Sequence, residues 1–333
     1  MTSEYLFELG GENKELAKIE ARELLKTEGY NPETGFEEGQ IVIIKTSQKL
    51  ALKTIRRLGM TKRVSRIIHS SEEKDIGKVI EQLPTLDLGK SSFAIRQIRR
   101  NVISERKIAI KIGRKIPIEN EIALDNPDVK ILFYTGSRTI ISILEENSTT
   151  SYKSCLEHHV RYRPYFSPIS IHPRIARSMV NLANCSPNDT VLDPFCGTGG
   201  ILIEAAEMGM KAKGMDLLEK MVVNSKGNLE HFGLEGKIKK GDVEESKNQS
   251  FEAIVTDPPY GIASSTGGEK ISELLQRTMT IFSEAMEKGK RIVMAISNPE
   301  LIQTTNFKKI YQFEWYIHKS LTRYIMVLEK TNN

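Results

Sequence analysis

Two short segments gather residue types that could do chemistry. The first is Val191-Leu192-Asp193-Pro194-Phe195-Cys196-Gly197-Thr198-Gly199-Gly200, an apolar run that enters an acid and a glycine-rich turn, then opens a helical pattern. Glycines allow a tight turn and let the backbone approach a ligand closely. The spacing Gly-x-Gly-Gly departs from the dinucleotide pattern Gly-x-Gly-x-x-Gly. Asp216, followed by Leu217, closes the next apolar run, where a ribose hydroxyl pair is commonly held in wound α/β folds. Asp242, followed by Val243, closes a third, and its carboxylate could accept from an adenine amino group. Each acid alone reads as a helix cap or strand-end turn. Three at successive strand ends, beside a glycine-rich turn, point instead to an adenosine-containing cofactor.

The second segment is Val255-Thr256-Asp257-Pro258-Pro259-Tyr260-Gly261. Two prolines stiffen the backbone and remove two amide donors, which leaves carbonyls free to face a ligand. A carboxylate, a rigid carbonyl and an aromatic face can together hold a planar heterocycle that bears an amino group. The oxygens accept its N–H bonds while Tyr260 stacks on the ring. A proline turn explains Asp-Pro-Pro-Tyr in isolation, but its place after a strand and downstream of the glycine-rich turn favours the chemical reading. Asp257, Pro258, Pro259 and Tyr260 are therefore the expected catalytic residues. No side chain fits a covalent nucleophile, and Cys196 reads as small packing within the turn.

The elements that must position these segments alternate. Helical patterns at Pro173–Ala183, Ile201–Met208, Lys220–Phe232 and Ser272–Glu287 separate short apolar strands at Thr190–Leu192, Lys211–Met215, Lys237–Lys240, Ala253–Thr256 and Arg291–Ile296. Such alternation predicts a mostly parallel sheet wound with helices, with ligands at the carboxyl ends of its strands. The first half is different. Strands are expected at Tyr5–Leu9, Gln40–Lys45, Val64–His69, Ser92–Ile98 and Val129–Tyr134. A helix carrying Leu16, Ile19, Leu24 and Leu25 and a basic helix over Ser47–Leu58 accompany them, giving an α+β region. The polar stretch Glu145–Tyr152 marks the boundary. Residues 1–150 are read as one domain, 151–165 as a linker and 166–333 as the other domain.

Composition narrows the partners. Of 333 residues, 39% are hydrophobic and 27% charged, as in a globular protein, and no apolar run is long enough to cross a bilayer. The N-terminus lacks a secretory pattern, so no membrane association and a cytoplasmic location are expected. Cys155, Cys185 and Cys196 form no CxxC or Cys/His cluster, which argues against a disulfide framework and a metal site. The net charge of +5 sits entirely in the first half, where residues 1–165 hold 28 basic and 23 acidic side chains. Lys45, Lys49, Lys53, Arg56, Arg57, Lys62, Arg63 and Arg66 form one basic run. Lys90, Arg96, Arg99, Arg100, Arg106, Lys107, Lys111, Arg114 and Lys115 form another. A solvated helix face explains either run; a polyanion bound through its phosphates explains both.

Asp193 to Gly200 together with Asp257-Pro258-Pro259-Tyr260 resembles motifs I and IV of the Rossmann-fold amino-methyltransferases. Phe166-Ser167-Pro168-Ile169-Ser170-Ile171-His172-Pro173 is similar to the cofactor-contacting segment that precedes motif I in that class. Ser320-Leu321-Thr322-Arg323-Tyr324 resembles the C-terminal end of the archaeal tRNA guanine-N2 methyltransferases acting at position 10. Ser92-Phe93-Ala94-Ile95-Arg96 and Asn126-Pro127-Asp128-Val129 resemble the THUMP domain that this family carries. Aspartate rather than asparagine at position 257 fits the position-10 group.

The resemblance implies an α/β catalytic domain of Rossmann-like methyltransferase type with a mixed, mostly parallel sheet, behind an α+β region with a THUMP RNA-binding domain. It implies S-adenosyl-L-methionine as cofactor and S-adenosyl-L-homocysteine as product. Expected cofactor contacts are His172, Asp193, Pro194, Cys196, Gly197, Thr198, Gly199, Asp216, Leu217, Asp242, Val243 and Asp257. The implied partner is tRNA, methylated at the exocyclic N2 of guanine 10 to the N2-methyl or N2,N2-dimethyl form. A monomer is the default expectation, since nothing in the sequence calls for a protein partner. His172 and Arg323 are secondary candidates, each explained as well by packing or a salt bridge. Three alternatives stay open: a guanine elsewhere in tRNA or in rRNA, a DNA amino-methyltransferase, and an RNA-binding protein whose methyltransferase domain is inactive.

Overall fold

The computed structural model describes residues 2–73, 75–98, 105–145, 149–167, 170–260, 268–319 and 321–331. Arg99, Arg100, Pro168, Ile169, Gly261 and Ser320, singled out in the sequence, lie outside them. The chain forms two compact units. The first comprises residues 1–14, 29–56 and 61–150, and the second residues 15–28, 57–60 and 151–333.

In the first unit, strands β1 (Ser3–Leu9), β2 (Glu33–Glu38), β3 (Ile41–Thr46), β4 (Thr61–Ser71), β5 (Phe93–Gln97), β6 (Val129–Thr135) and β7 (Thr139–Glu145) form one sheet in the order β2-β3-β1-β4-β7-β6-β5. Among the described pairs only β5–β6 is parallel. Alternation in β6 feeds both faces of the sheet. Ile131 and Phe133 pack with Ile76, Val79 and Ile108, while Leu132 and Tyr134 pack with Leu6 and Ile41. The basic runs are partly spent on structure. Lys45 pairs with Glu4 at 3.0 Å and Arg63 pairs with Glu8. Lys115 Nζ donates to the carbonyls of Glu81 and Leu83, each at 3.0 Å. Lys49, Lys53, Arg56, Lys90, Arg106, Lys107, Lys111 and Arg114 are exposed. The basic helix expected over Ser47–Leu58 is only α2 (Leu52–Arg57), preceded by α1 (Lys14–Thr27). Two helices follow it, α3 (Ile76–Gln82) and α4 (Glu105–Gly113).

The second unit carries α5 (Pro173–Leu182), α6 (Gly200–Glu207), α7 (Glu219–His231) and α8 (Ile271–Ala285). Its strands are β8 (Thr190–Asp193), β9 (Lys211–Asp216), β10 (Gly236–Lys240), β11 (Ala253–Thr256), β12 (Arg291–Ile296), β13 (Phe307–His318) and β14 (Leu321–Lys330). The sheet order is β10-β9-β8-β11-β12-β14-β13. The first five strands run parallel and the last two pair antiparallel. Strands β8, β11 and β12 are short and almost wholly buried, as befits parallel strands covered on both faces. On α8, Leu274, Leu275, Thr278, Met279, Ile281 and Phe282 recur at helical spacing and are buried. Several of them join Leu192, Ile254, Ile292 and Met294 in one core, where each large side chain contributes about 1.5–3 kcal/mol.

Residues 151–165, expected as a linker, belong to this unit and form three-ten turns at Ser154–His158 and Val160–Tyr162. So does the segment 15–28, which is most of α1. Glu20, fully buried on α1, accepts from the Gly59 and Met60 amides and from Asn181 Nδ2, all at 2.9 Å. Glu23 accepts from Arg291 Nη1 at 2.8 Å and from the Tyr311 hydroxyl at 3.1 Å. Arg57 also belongs here rather than on a solvated face. It is 4% exposed and donates to Glu28 at 2.7 Å and to the Cys185 carbonyl at 2.8 Å.

Candidate active site

The parallel strands bring their carboxyl ends to one edge of the sheet, and the turns that follow β8, β9 and β11 close around a cavity. Asp193, Cys196, Gly197, Thr198, Asp216, Leu217, Asp257, Pro258, Pro259 and Tyr260 all line it. In the β8–α6 turn, Gly197 and Gly199 have φ of +50° and +83°, a left-handed backbone that side chains other than glycine rarely adopt. A Cβ on Gly199 would also lie 2.5 Å from Ser225 Oγ. The turn is tied to the next strand by the Gly197 amide, which donates to Asp216 Oδ2 at 3.0 Å. The Leu218 amide donates to the other oxygen at 2.9 Å. Each Asp216 oxygen retains accepting capacity, as a ribose diol needs.

Asp193, only 2% exposed, accepts from Thr256 Oγ1 at 2.7 Å and from the Phe195 amide at 3.2 Å, which links β8 to the end of β11. Burial pushes its carboxyl up to about 7, and the negative charges of Asp257 and Asp216 add to the rise. Burial likewise raises Asp216 and Asp257 above the ordinary carboxylate range. None of the described residues lining the cavity is lysine or arginine. Three crowded carboxylates with no lining cation favour a positively charged ligand. Phe195, Leu218, Met221 and Leu274 supply apolar walls suited to a heterocycle.

At the β11 end, the Tyr260 hydroxyl donates to Asp257 Oδ1, and Arg323 Nη2 lies 3.5 Å from Asp257 Oδ2. The Arg323 guanidinium also stands over the Tyr260 ring, 5.4 Å from its centroid. Burial raises the Asp257 pKa; the Arg323 charge and the Tyr260 hydrogen bond oppose that rise. The carboxylate is thus held from two sides before any substrate arrives. Arg323, a secondary candidate in the sequence, is brought to the reactive loop by the β13–β14 hairpin.

Five expected contacts fall outside the cavity lining. Pro194 and Gly199 shape the turn without lining it. Val243 is buried in the α8 core. The Asp242 carboxylate is engaged elsewhere: it takes both terminal nitrogens of Arg277, at 2.6 and 3.2 Å, and caps the following turn through the Glu244 amide at 2.9 Å. The Arg277 hydrogen bonds hold its pKa below the ordinary range. His172 is the N-cap of α5, accepting from the Arg174 amide at 3.3 Å, with its ring edge-on to His159. Ser167, Ser170, Ile171, Gly200 and Ile201 complete the lining; of these, Ser167, Ser170 and Ile171 lie in the segment read as preceding motif I. A wider hollow in the first unit, about 620 Å³, offers no rival site, since its charged groups Arg138–Glu72 and Lys45–Glu4 already pair with each other.

A family model described as "RMKL-like, methyltransferase domain" matches residues 160–318. The chain is 32% identical to a tRNA (guanine(10)-N2)-dimethyltransferase of Methanothermobacter thermautotrophicus, over 97% of this chain and 98% of that one. It is 33% identical to the Pyrococcus abyssi protein of the same description, over 84% and 86%. Among solved structures, TrmN from Thermus thermophilus shares the fold over 98% of this chain and 99% of that one, with a TM-score of 0.55 at 17% identity.

Proposed function

The chain belongs to the tRNA (guanine(10)-N2)-dimethyltransferase family, and from that premise we propose that it methylates the exocyclic N2 of guanosine 10 in tRNA, with Asp257 as the residue that holds the reacting amine. The observation that carries the site assignment is the Asp257 carboxylate, braced by Tyr260 and Arg323 in the wall of a carboxylate-lined cavity. S-adenosyl-L-methionine, when bound, supplies a methyl group on a cationic sulfur and leaves as S-adenosyl-L-homocysteine. The residues present suit it: Asp216 for the ribose, the apolar walls for the adenine, and the anionic cavity for the sulfonium.

The N2 amine of guanine is a weak nucleophile because its lone pair is delocalised into the ring. Asp257 accepts one of its N–H bonds and the Pro258 carbonyl the other, which localises the lone pair and directs it. Orientation of this kind is worth up to about 7–11 kcal/mol. As the nitrogen gains positive charge, Asp257 stabilises it and takes the proton that leaves. Arg323 covers Tyr260 on one side, so the tyrosine offers its other face to the base.

A guanine paired in a stem must be extruded to reach this pocket, at a cost of a few kcal/mol that binding elsewhere on the RNA offsets. The first unit, as a THUMP-containing RNA-binding region, provides that binding through its exposed cations, by phosphate contact and shape. The enzyme is assigned as a cytoplasmic monomer; no described helix is long and apolar enough to cross a membrane. The test is methyl transfer from labelled S-adenosylmethionine to unmodified tRNA transcripts, with nucleoside analysis. N2-methyl- or N2,N2-dimethylguanosine, lost when guanine 10 is replaced, is the expected product. Label that persists after that replacement would refute the position.

A further inference from the structure

We propose that Arg163 receives the carboxylate at the amino-acid end of S-adenosylmethionine, acting at the first turn of α6 where Gly200 leaves the cavity wall without a side chain. The proposal rests on the cofactor reading above and adds the end of the pocket in which the amino-acid tail lies.

Arg163 directly follows the Val160–Tyr162 turn and is 5% exposed. Its Nε donates to the His158 carbonyl at 2.8 Å, but neither terminal nitrogen has a hydrogen-bond partner, although both are buried. Glu204, the nearby acid, is already engaged. One of its oxygens meets His158 Nδ1 at 2.8 Å and the other accepts from Arg177 Nη1 at 2.8 Å. Burial pushes the Arg163 guanidinium down to about 10, and Glu204 only partly opposes this. Burying a guanidinium with both terminal nitrogens unpaired is costly, and an incoming anion would relieve that cost.

The free nitrogens face a specific place. A Cβ on Gly200 would lie 3.2 Å from Arg163 Nη1, 3.6 Å from Nη2 and 3.5 Å from Ile171 Cγ2. Gly200 and Ile171 both line the cavity, so at this point only a glycine separates the guanidinium from the ligand space. Gly200 also opens α6, whose first N–H groups have no partner within the helix and carry the positive end of its dipole. The Ser170 and Thr198 hydroxyls, 3.0 Å apart, line the same cavity. Three carboxylates line the cavity and suit the sulfonium; behind Gly200, Arg163 offers a cation suited to the carboxylate.

Calorimetric titration of the full chain with S-adenosylhomocysteine and with 5′-methylthioadenosine, which lacks the amino-acid tail, tests this. R163M is expected to weaken S-adenosylhomocysteine by roughly ten- to a hundredfold and to leave 5′-methylthioadenosine unchanged. Equal loss of both ligands, or loss of neither, overturns the assignment. Wild-type protein that binds neither ligand refutes the cofactor reading itself, and the assignment with it. Should R163M fail to fold, G200A replaces it, since the added Cβ would stand 3.2 Å from Nη1, between the guanidinium and the ligand space. Selective loss of S-adenosylhomocysteine is again expected, and parallel or absent loss again overturns the assignment.

Discussion

The two sheets differ in strand direction, and with it in what they can assemble. In the second unit, parallel β8, β9 and β11 deliver Asp193, Asp216 and Asp257 to one edge, although the three are far apart in sequence. In the first unit nearly every pair is antiparallel, so successive turns fall at opposite ends and no edge collects them. What that unit offers is area, with exposed cations spread over α2, α4 and the loops around them. Convergence suits bond making, which needs a few groups placed closely; dispersal suits the phosphate backbone, which needs many groups placed loosely. The lesson is that strand direction alone can decide which part of a protein houses chemistry.

The sharpest way to break this contrast is D257A. It should lower kcat by about a thousandfold while cofactor affinity, read by titration, stays within a few fold. Wild-type turnover from D257A would remove the convergent site altogether.

Next is the burial of Asp193, to which the neighbouring carboxylates add. Asp193, near 7 in the folded protein against about 4 when unfolded, favours the fold when protonated. Its contribution is therefore fully present below about pH 4 and lost as pH rises through 7, on the order of 4 kcal/mol. Chemical denaturation of ligand-free D193N against wild type from pH 4 to 8 should show wild type losing more stability over that range. A constant difference between the two would contradict the raised Asp193 pKa.

R323M should lower kcat roughly ten- to a hundredfold. Because the Arg323 charge holds the Asp257 pKa down, its loss should move the acidic limb of the pH–rate profile to higher pH. R323K should restore the limb. An unmoved limb would mean that Arg323 serves packing alone.

The smallest effects belong to the dispersed cations. K107A and K111A should each raise KM a few fold at unchanged kcat, and each should reduce the salt slope of RNA binding by about one phosphate contact, 0.7–0.9 in log–log terms. A fall in kcat without a change in slope would assign them to the chemistry instead.

Much of the second unit was legible because its signals are local. Short apolar strands, glycine turns and apolar helix faces each declare themselves within a dozen residues. β13 was not foreseen: Lys308, Lys309, Gln312 and Glu314 interrupt its apolar pattern, and it becomes a strand by pairing with β14. β2 is an acidic edge strand of sequence ETGFEE, held by β3 rather than by its own propensity. In α4 the signal was present in Ile108 and Ile112, one turn apart and buried, but the surrounding basic residues drew the reading to charge. Within the site, acids at strand ends could be read directly. Their partners could not, because Arg277 claims Asp242 from 35 residues away and Arg323 reaches Asp257 from a distant hairpin. Arg57 failed for the same reason: nothing near it in the chain announces Glu28 or the Cys185 carbonyl.

The grouping of α1 with the second unit has a consequence in time. During synthesis Glu23 leaves the ribosome long before Arg291 and Tyr311, the side chains it will bind. At about 5–20 residues per second, the last of them follows roughly 15–60 s later. For that interval Glu23 lacks both of these partners, whereas Glu20 meets Gly59, Met60 and Asn181 earlier, so the catalytic unit is among the first parts begun and the last part finished.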